Sequence, residues 1–284
     1  MLVLGEISYN IGTVNQTAQL RIGTSAFTAA GWEGIFYPEA MRPAEYLSHY
    51  AQHFDTVEVD STFYRTPSAS TVNGWYSKTP PSFVFALKVP QVITHERCLL
   101  DCEAEFDEFI GRAVLLREKL GPLLIQFPYF NKNAFATQAD FLPRLTTFLK
   151  RLPKGLNFAL EIRNKNWLDA RFADLLREHN VALALIDQAW MPRPSQWFEK
   201  LDPITANFAY IRLLGDRKGI EEKTKRWDKV IIDRTKEVRE WVGYTQQIIR
   251  RGVPVYIYVN NHFAGHAPAT VRLFQELYQT AELP

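Results

Sequence analysis

Between residues 56 and 64 the chain reads Thr-Val-Glu-Val-Asp-Ser-Thr-Phe-Tyr, so that Val57 and Val59 alternate with Glu58 and Asp60. A period of two is the mark of a strand. Seven other short stretches have the same extended character: residues 21–25, 83–88, 123–127, 157–163, 182–187, 208–213 and 255–260. Between them the apolar positions move to helical spacing, which predicts helices over 43–54, 68–78, 102–119, 139–151, 167–180, 231–251 and 267–278. Pro43 suits a first helical turn, Asn166 can cap the helix from 167, and Gly121 reads as the C-cap of the helix over 102–119. Residues 190–198 read as irregular. Strand 123–127 is nearly all apolar, as in a sheet buried on both faces. Eight strands alternating with helices predict an α/β fold, a TIM-like (β/α)8 barrel in one domain over residues 21–284. Residues 1–20 fall outside the repeat as an N-terminal lead-in.

In a closed parallel barrel one face of each strand points at the axis and the other at the helices. Parity then puts Ser25, Glu58, Asp60, Lys88, Gln126, Glu161, Arg163, Asp187, Arg212 and Asn260 at the inward, carboxyl ends of the strands. The strand middles are apolar, so polarity gathers on one rim, where barrels of this kind carry their sites. Glu58 and Glu161 are candidate proton-transfer groups, with His95 or Asp187 assisting. Lys88, Arg163 and Arg212 suit an anion, and Asp60, Gln126 and Asn260 complete a binding ring. Trp32 and Tyr64, in the loops after strands, could stack on a planar ligand. The four acids and three bases nearly cancel, so the same ring could also close the mouth as a salt-bridge network. Lys88 as a Schiff-base former fits poorly, because neighbouring acids favour its charged form.

Composition narrows the classes. A formal net charge of +2 on 284 residues does not call for a nucleic-acid partner. No cationic leader or run of roughly 18 apolar residues is present, which reads as a soluble, cytoplasmic chain without membrane contact. No nucleotide-binding glycine loop follows any strand. The two cysteines form no disulfide framework, and His95-x-x-Cys98-x-x-x-Cys102 lacks the fourth ligand of a closed zinc site. No metal ligands or cofactor are assigned. His262 and His266 follow the last strand.

Several ordered motifs carry a family resemblance. They are Gly23-Thr24-Ser25, Trp32-x-Gly34-x-Phe36-Tyr37-Pro38, the stretch 56–64 followed by Pro67, Phe85-Ala86-Leu87-Lys88, Ile93-Thr94-His95 and Gly121-Pro122-Leu123-Leu124-x-Gln126-Phe127-Pro128. Glu161-x-Arg163-x-x-x-Trp167, Tyr210-x-Arg212-Leu213-x-Gly215 and Val255-Tyr256-x-Tyr258-x-Asn260-Asn261 continue the series. From about residue 21 to 275 the chain resembles the YecE-like family, whose domain is of unknown function. The resemblance implies a TIM-like barrel and supplies no reaction. The family pattern has Asn where this chain has Asp60, and the lead-in is extra. The reading that follows is an enzyme using acid/base chemistry on a small polar or anionic sugar- or nucleotide-like ligand. A metal-dependent phosphodiesterase or endonuclease-like enzyme on nucleic acid, requiring a divalent ion, and a non-catalytic binding barrel stand as alternatives.

Overall fold

The chain alternates strand and helix throughout residues 20–281, the part that the computed structural model describes. It runs β1 (Leu20–Thr24), α1 (Tyr46–His53), β2 (Thr56–Val59), α2 (Ala69–Ser77), β3 (Val84–Lys88), α3 (Glu103–Ala113), β4 (Leu120–Gln126) and α4 (Gln138–Leu149). Then come β5 (Phe158–Glu161), α5 (Ala170–Glu178), β6 (Val181–Gln188), α6 (Pro194–Lys200), β7 (Ala209–Gly215), α7 (Arg217–Glu221) and α8 (Thr235–Arg250). β8 (Val255–Val259), α9 (Asn261–Ala264) and α10 (Ala267–Thr280) finish it. The strands lie in the order β1-β8-β7-β6-β5-β4-β3-β2, paired in parallel, as the predicted barrel requires. The expected lead-in lies outside the described residues except for Leu20, which opens β1.

Burial explains why apolar runs become strands here. Every residue of β3, β4, β6, β7 and β8 is buried, because helices cover the outside and side chains fill the axis. Outside β3, Trp75 of α2 stacks on Phe85 with centroids 6.1 Å apart. Phe127, Phe130, Phe141 and Trp167 pack together beyond β4 and β5. Each such ring contributes about 1.5–3 kcal/mol by leaving water.

One strand pair is joined differently. β1 and β2 end the sheet order, with no ladder between them. The Tyr50 hydroxyl of α1 fills the seam: it accepts from the Thr24 N–H at 2.9 Å and donates to the Thr56 carbonyl at 3.1 Å. A Cβ on Gly23 would stand 2.0 Å from the Thr56 oxygen, so only glycine allows this approach. Lower down, Arg21 reaches Asp55 at 2.8 Å and the Ser82 carbonyl at 3.1 Å.

Four local expectations change. Gly121 lies inside β4 rather than capping a helix, since a Cβ there would meet Val84 Cγ1 at 2.4 Å. The helix expected over 102–119 ends at Ala113 and tightens to a 3-10 turn, broken at Arg117 with φ 52. Asp169, not Asn166, caps α5, its carboxylate accepting from the Phe172 amide at 2.9 Å. Of residues 190–198, expected to be irregular, those from Pro194 onward belong to α6, with Pro194 at its first turn.

Candidate functional site

Inward positions of β2, β5 and β7, with Arg163 just past the end of β5, bring four charges and a phenol together across the axis. Arg212 donates through Nη2 to Glu58 Oε1 at 2.6 Å and through Nη1 to Glu161 Oε2 at 2.5 Å. Tyr210, two residues before Arg212 and on the same face, donates to Glu58 Oε2 at 2.6 Å. Arg163 Nε donates to Glu161 Oε1 at 2.9 Å. Both glutamates are fully buried and Arg212 is 3% exposed. Taking such ions out of water costs several kcal/mol each unless they are paired. Here every carboxylate oxygen accepts a short hydrogen bond, and Nε is the one nitrogen of the Arg212 guanidinium left over.

This arrangement fixes protonation states. Burial by itself would raise the Glu161 carboxyl, but the Arg212 and Arg163 guanidiniums outweigh it and hold the group down at about 2. Burial, then the Glu58 carboxylate, pushes the Tyr210 phenol well above its ordinary range. Burial would lower Arg212, yet Glu58 and Glu161 raise it well above the usual value. The glutamates, expected as proton-exchanging partners, have both oxygens engaged, and Glu161 is a permanent carboxylate near neutrality.

Closer to the mouth the groups are less saturated. Lys88 Nζ, at the end of β3, pairs with Asp60 Oδ1 at 2.7 Å and sits 4.1 Å over the Phe63 ring. Thr62 pins the loop after β2 to β3: its hydroxyl donates to the Lys88 carbonyl at 2.8 Å and accepts from the Lys88 amide at 2.9 Å. The His95 ring makes an edge contact with Phe63, centroids 4.9 Å apart. His95 Nδ1 is 2.8 Å from Thr94 Oγ1, and its Nε2 is 3.5 Å from the Gln126 amide nitrogen. That amide also donates to the Phe127 carbonyl at 3.2 Å. The pattern closes with Nδ1–H donating to Thr94 and Nε2 kept as an acceptor. Burial, reinforced by Arg163 and Lys88, lowers His95 to about 4, so the ring is neutral near pH 7. The two terminal nitrogens of Arg163 make no hydrogen bond with the described residues, and its side chain is partly exposed. Asn260 caps α9, its Oδ1 accepting from the His262 amide at 2.9 Å.

Two candidates move away from the site. Asp187 faces the helices instead of the axis: Trp241 Nε1 of α8 donates to it at 2.7 Å, and Arg193 Nη1 lies 2.7 and 2.8 Å from its two oxygens. Ile186 stands beside Arg212 and takes the inward place. An unbroken apolar run gives no alternation from which to read parity, which is why β6 misleads. Trp32 is 1% exposed, packed against Phe36, Tyr37 and His266, and so holds the loop after β1 together rather than stacking on a ligand. Tyr64, 68% exposed, remains free on the rim. Tyr210 was missed, although its spacing of two from Arg212 marks it as a member of the same inward column.

Among the described residues no three His, Cys, Asp or Glu side chains converge as metal ligands. Cys98 instead donates to the His95 carbonyl at 3.3 Å. No helix among the described residues is long and apolar enough to cross a membrane.

Comparison with known proteins places this geometry. The chain is similar to the UPF0759 protein YecE of Escherichia coli K12, 33% identical over 118 residues, which is 42% of this chain and 41% of YecE. It is 29% identical to the UPF0759 protein YunF of Bacillus subtilis over 150 residues, 50% of this chain and 51% of YunF. The aligned region thus spans about half or less of these relatives. Among solved structures, a DUF72 family protein from Thermotoga maritima superposes with a TM-score of 0.69 at 24% identity, covering 92% of this chain and 99% of that one. A D-psicose 3-epimerase solved in the presence of D-fructose gives 0.53 at 10% identity, with 93% of each chain covered, and so shares the barrel fold. The motifs that suggested a YecE-like protein are thereby accounted for. The family model described as "Protein of unknown function DUF72" matches residues 21–284, and the chain belongs to that family.

Proposed function

We propose that the C-terminal mouth of the barrel binds a small polar, anionic ligand, sugar- or nucleotide-like, and transfers a proton on it. The observation that carries this reading is the meeting of an open guanidinium edge on Arg163 with a neutral imidazole on His95 and an ammonium on Lys88. Arg163 supplies a fork for a carboxylate or phosphoryl group, and Lys88 adds a point charge beside it. His95 Nε2 is the proton acceptor, since a base must be unprotonated at working pH and within reach of the ligand. Glu161 then serves as the counter-charge that orients Arg163, while Glu58 and Tyr210 hold Arg212 beneath it. Proton chemistry thus passes from the glutamates to His95, and the glutamates become positioning groups. Tyr64 offers a face for a ring at the rim.

A thermal-shift panel of sugar phosphates, nucleotides and hydroxy acids tests this. A ligand at about 100 times its Kd adds roughly 2.7 kcal/mol of stability. Arg163→Gln is expected to abolish the shift, and His95→Gln to keep the shift but lose turnover. A ligand whose binding is indifferent to Arg163→Gln would sink the assignment, as would turnover undiminished in His95→Gln.

A further inference from the structure

The cations of the mouth all lie on one side of it. Lys88 ends β3, His95 follows in the next loop, and Arg163 stands just past β5. In an eight-stranded cylinder each strand faces the one four places away in the sheet order, so β5 faces β1 and β4 faces β8. The far side, at the ends of β1 and β8, is neutral. Thr24 lies 2.8 Å from the Tyr50 hydroxyl of α1 and so points outward, which turns Ser25 inward. The Ser25 amide donates to the Val259 carbonyl at 2.9 Å, and this sets Ser25 beside Asn260. Ser25 is only 3% exposed, yet its hydroxyl has no hydrogen-bond partner among the described residues. Buried hydroxyls are normally bonded, because an unmade bond leaves their desolvation uncompensated.

Asn260 is locked open next to it. Its Oδ1 accepts from the His262 amide at 2.9 Å and lies 2.5 Å from His262 Nδ1. Glu221 in turn stands 2.9 Å from the other nitrogen of that ring. With the oxygen held this way the Asn260 amide cannot flip, and its Nδ2 makes no hydrogen bond with the described residues. One layer below, on β7, Arg212 Nε is a further buried N–H left open. A ligand hydroxyl can donate to Ser25 Oγ and accept from Asn260 Nδ2 at once, which neither a carboxylate nor an apolar ring can do.

We propose that the ligand of the mouth is a hydroxylated acid, a sugar acid or sugar phosphate rather than a nucleotide. It lies across the barrel with its anionic group on Arg163 and a distal hydroxyl between Ser25 and Asn260. This assignment rests on the anion-binding reading of the mouth and adds the second pole. The test is calorimetric titration of the full chain with D-gluconate and D-glucitol 6-phosphate. Each is compared with its bare anion, acetate or inorganic phosphate, and AMP is the nucleotide probe. The better hydroxylated probe is expected to bind roughly tenfold or more tightly than its bare anion, because unpaired site groups penalise a ligand without the hydroxyl. It also names the anion as carboxylate or phosphate. That ratio should collapse in Ser25→Ala and in Asn260→Asp, which keeps the capping oxygen, whereas Arg163→Gln should weaken hydroxylated probe and bare anion together. Without ligand, Ser25→Ala should melt at or above the wild-type temperature, since it removes an unpaired polar atom and no bond. A Tm lowered by several degrees would reveal a structural partner for the hydroxyl and overturn the proposal. A ratio unchanged in Ser25→Ala overturns it while leaving the anion site standing, as does AMP binding more tightly than both probes. If no probe binds, hydroxylated or bare, the anion-binding reading itself fails and this proposal falls with it.

Discussion

The axis and the rim of this barrel hold the same kinds of residue in opposite states. At the axis, Glu58, Arg212, Glu161 and Tyr210 satisfy one another almost completely and are closed to water. At the rim, Arg163 keeps two free nitrogens and Tyr64 stands in solvent. A charged residue at a strand end is therefore not by itself a sign of ligand chemistry. Saturation separates the two roles: a group whose partners all come from the fold supports the site, and a group with donors to spare can meet a ligand.

If that division is right, perturbing the axis should cost stability and perturbing the rim should not. The largest effect is expected from Arg212→Met, which leaves two buried carboxylates without their shared cation. A loss of roughly 3–5 kcal/mol is expected, read as a fall in Tm on the order of 10 °C. An unchanged Tm would mean that the axis is not an ionic keystone. Next comes acid. Glu161 is held at about 2 against an ordinary 4.5, so its contribution is fully present above pH 4.5 and drains away as pH falls toward 2. About 3 kcal/mol is at stake from the size of the shift. Urea unfolding at several pH values should show this limb in the wild type and not in Glu161→Gln; identical limbs would refute the assignment.

Tyr210→Phe is a milder cut at the axis. It strips one hydrogen bond from a buried carboxylate and should cost about 1–3 kcal/mol in denaturant unfolding; a neutral outcome would place a water or a rearranged side chain on Glu58. Smallest of all is Tyr64→Ala, where the stability change should stay within about 0.5 kcal/mol while affinity for any stacked ligand falls. A large drop in stability there would erase the contrast between rim and axis.

Much of this was readable from the chain. Strands such as 56–60 announce themselves because alternation survives where one face carries acids, and that alternation also set Glu58, Glu161 and Arg212 on the inward face. Asp187 was misread because β6 is apolar on both faces, so nothing in its sequence says which side its last residue takes. Trp32 was misread because a tryptophan in a loop looks the same whether it packs inward or meets solvent. The saturation of the glutamates was out of reach for another reason. It depends on Tyr210, Arg212 and Glu58, some 150 residues apart in sequence, meeting across the axis.

The seam between β1 and β2 has a consequence for how the barrel is made. Its stitching by Tyr50 needs α1 docked, while the other edge of β1 is laid down against β8, with Leu20 beside Val255. Among the described residues, the first strand therefore has a ladder partner only from the far end of the chain. Contacts of such long sequence separation form slowly, because a large loop must close before they return any energy. A nascent chain leaving the ribosome would hold β2 to β7 as an unrolled sheet until residue 259 is free, and would close into a cylinder last of all. Pulse-labelled hydrogen exchange during refolding should find the amides of β1 protected after those of β3 to β6; earlier protection would mean that Tyr50 seats β1 before β8 arrives.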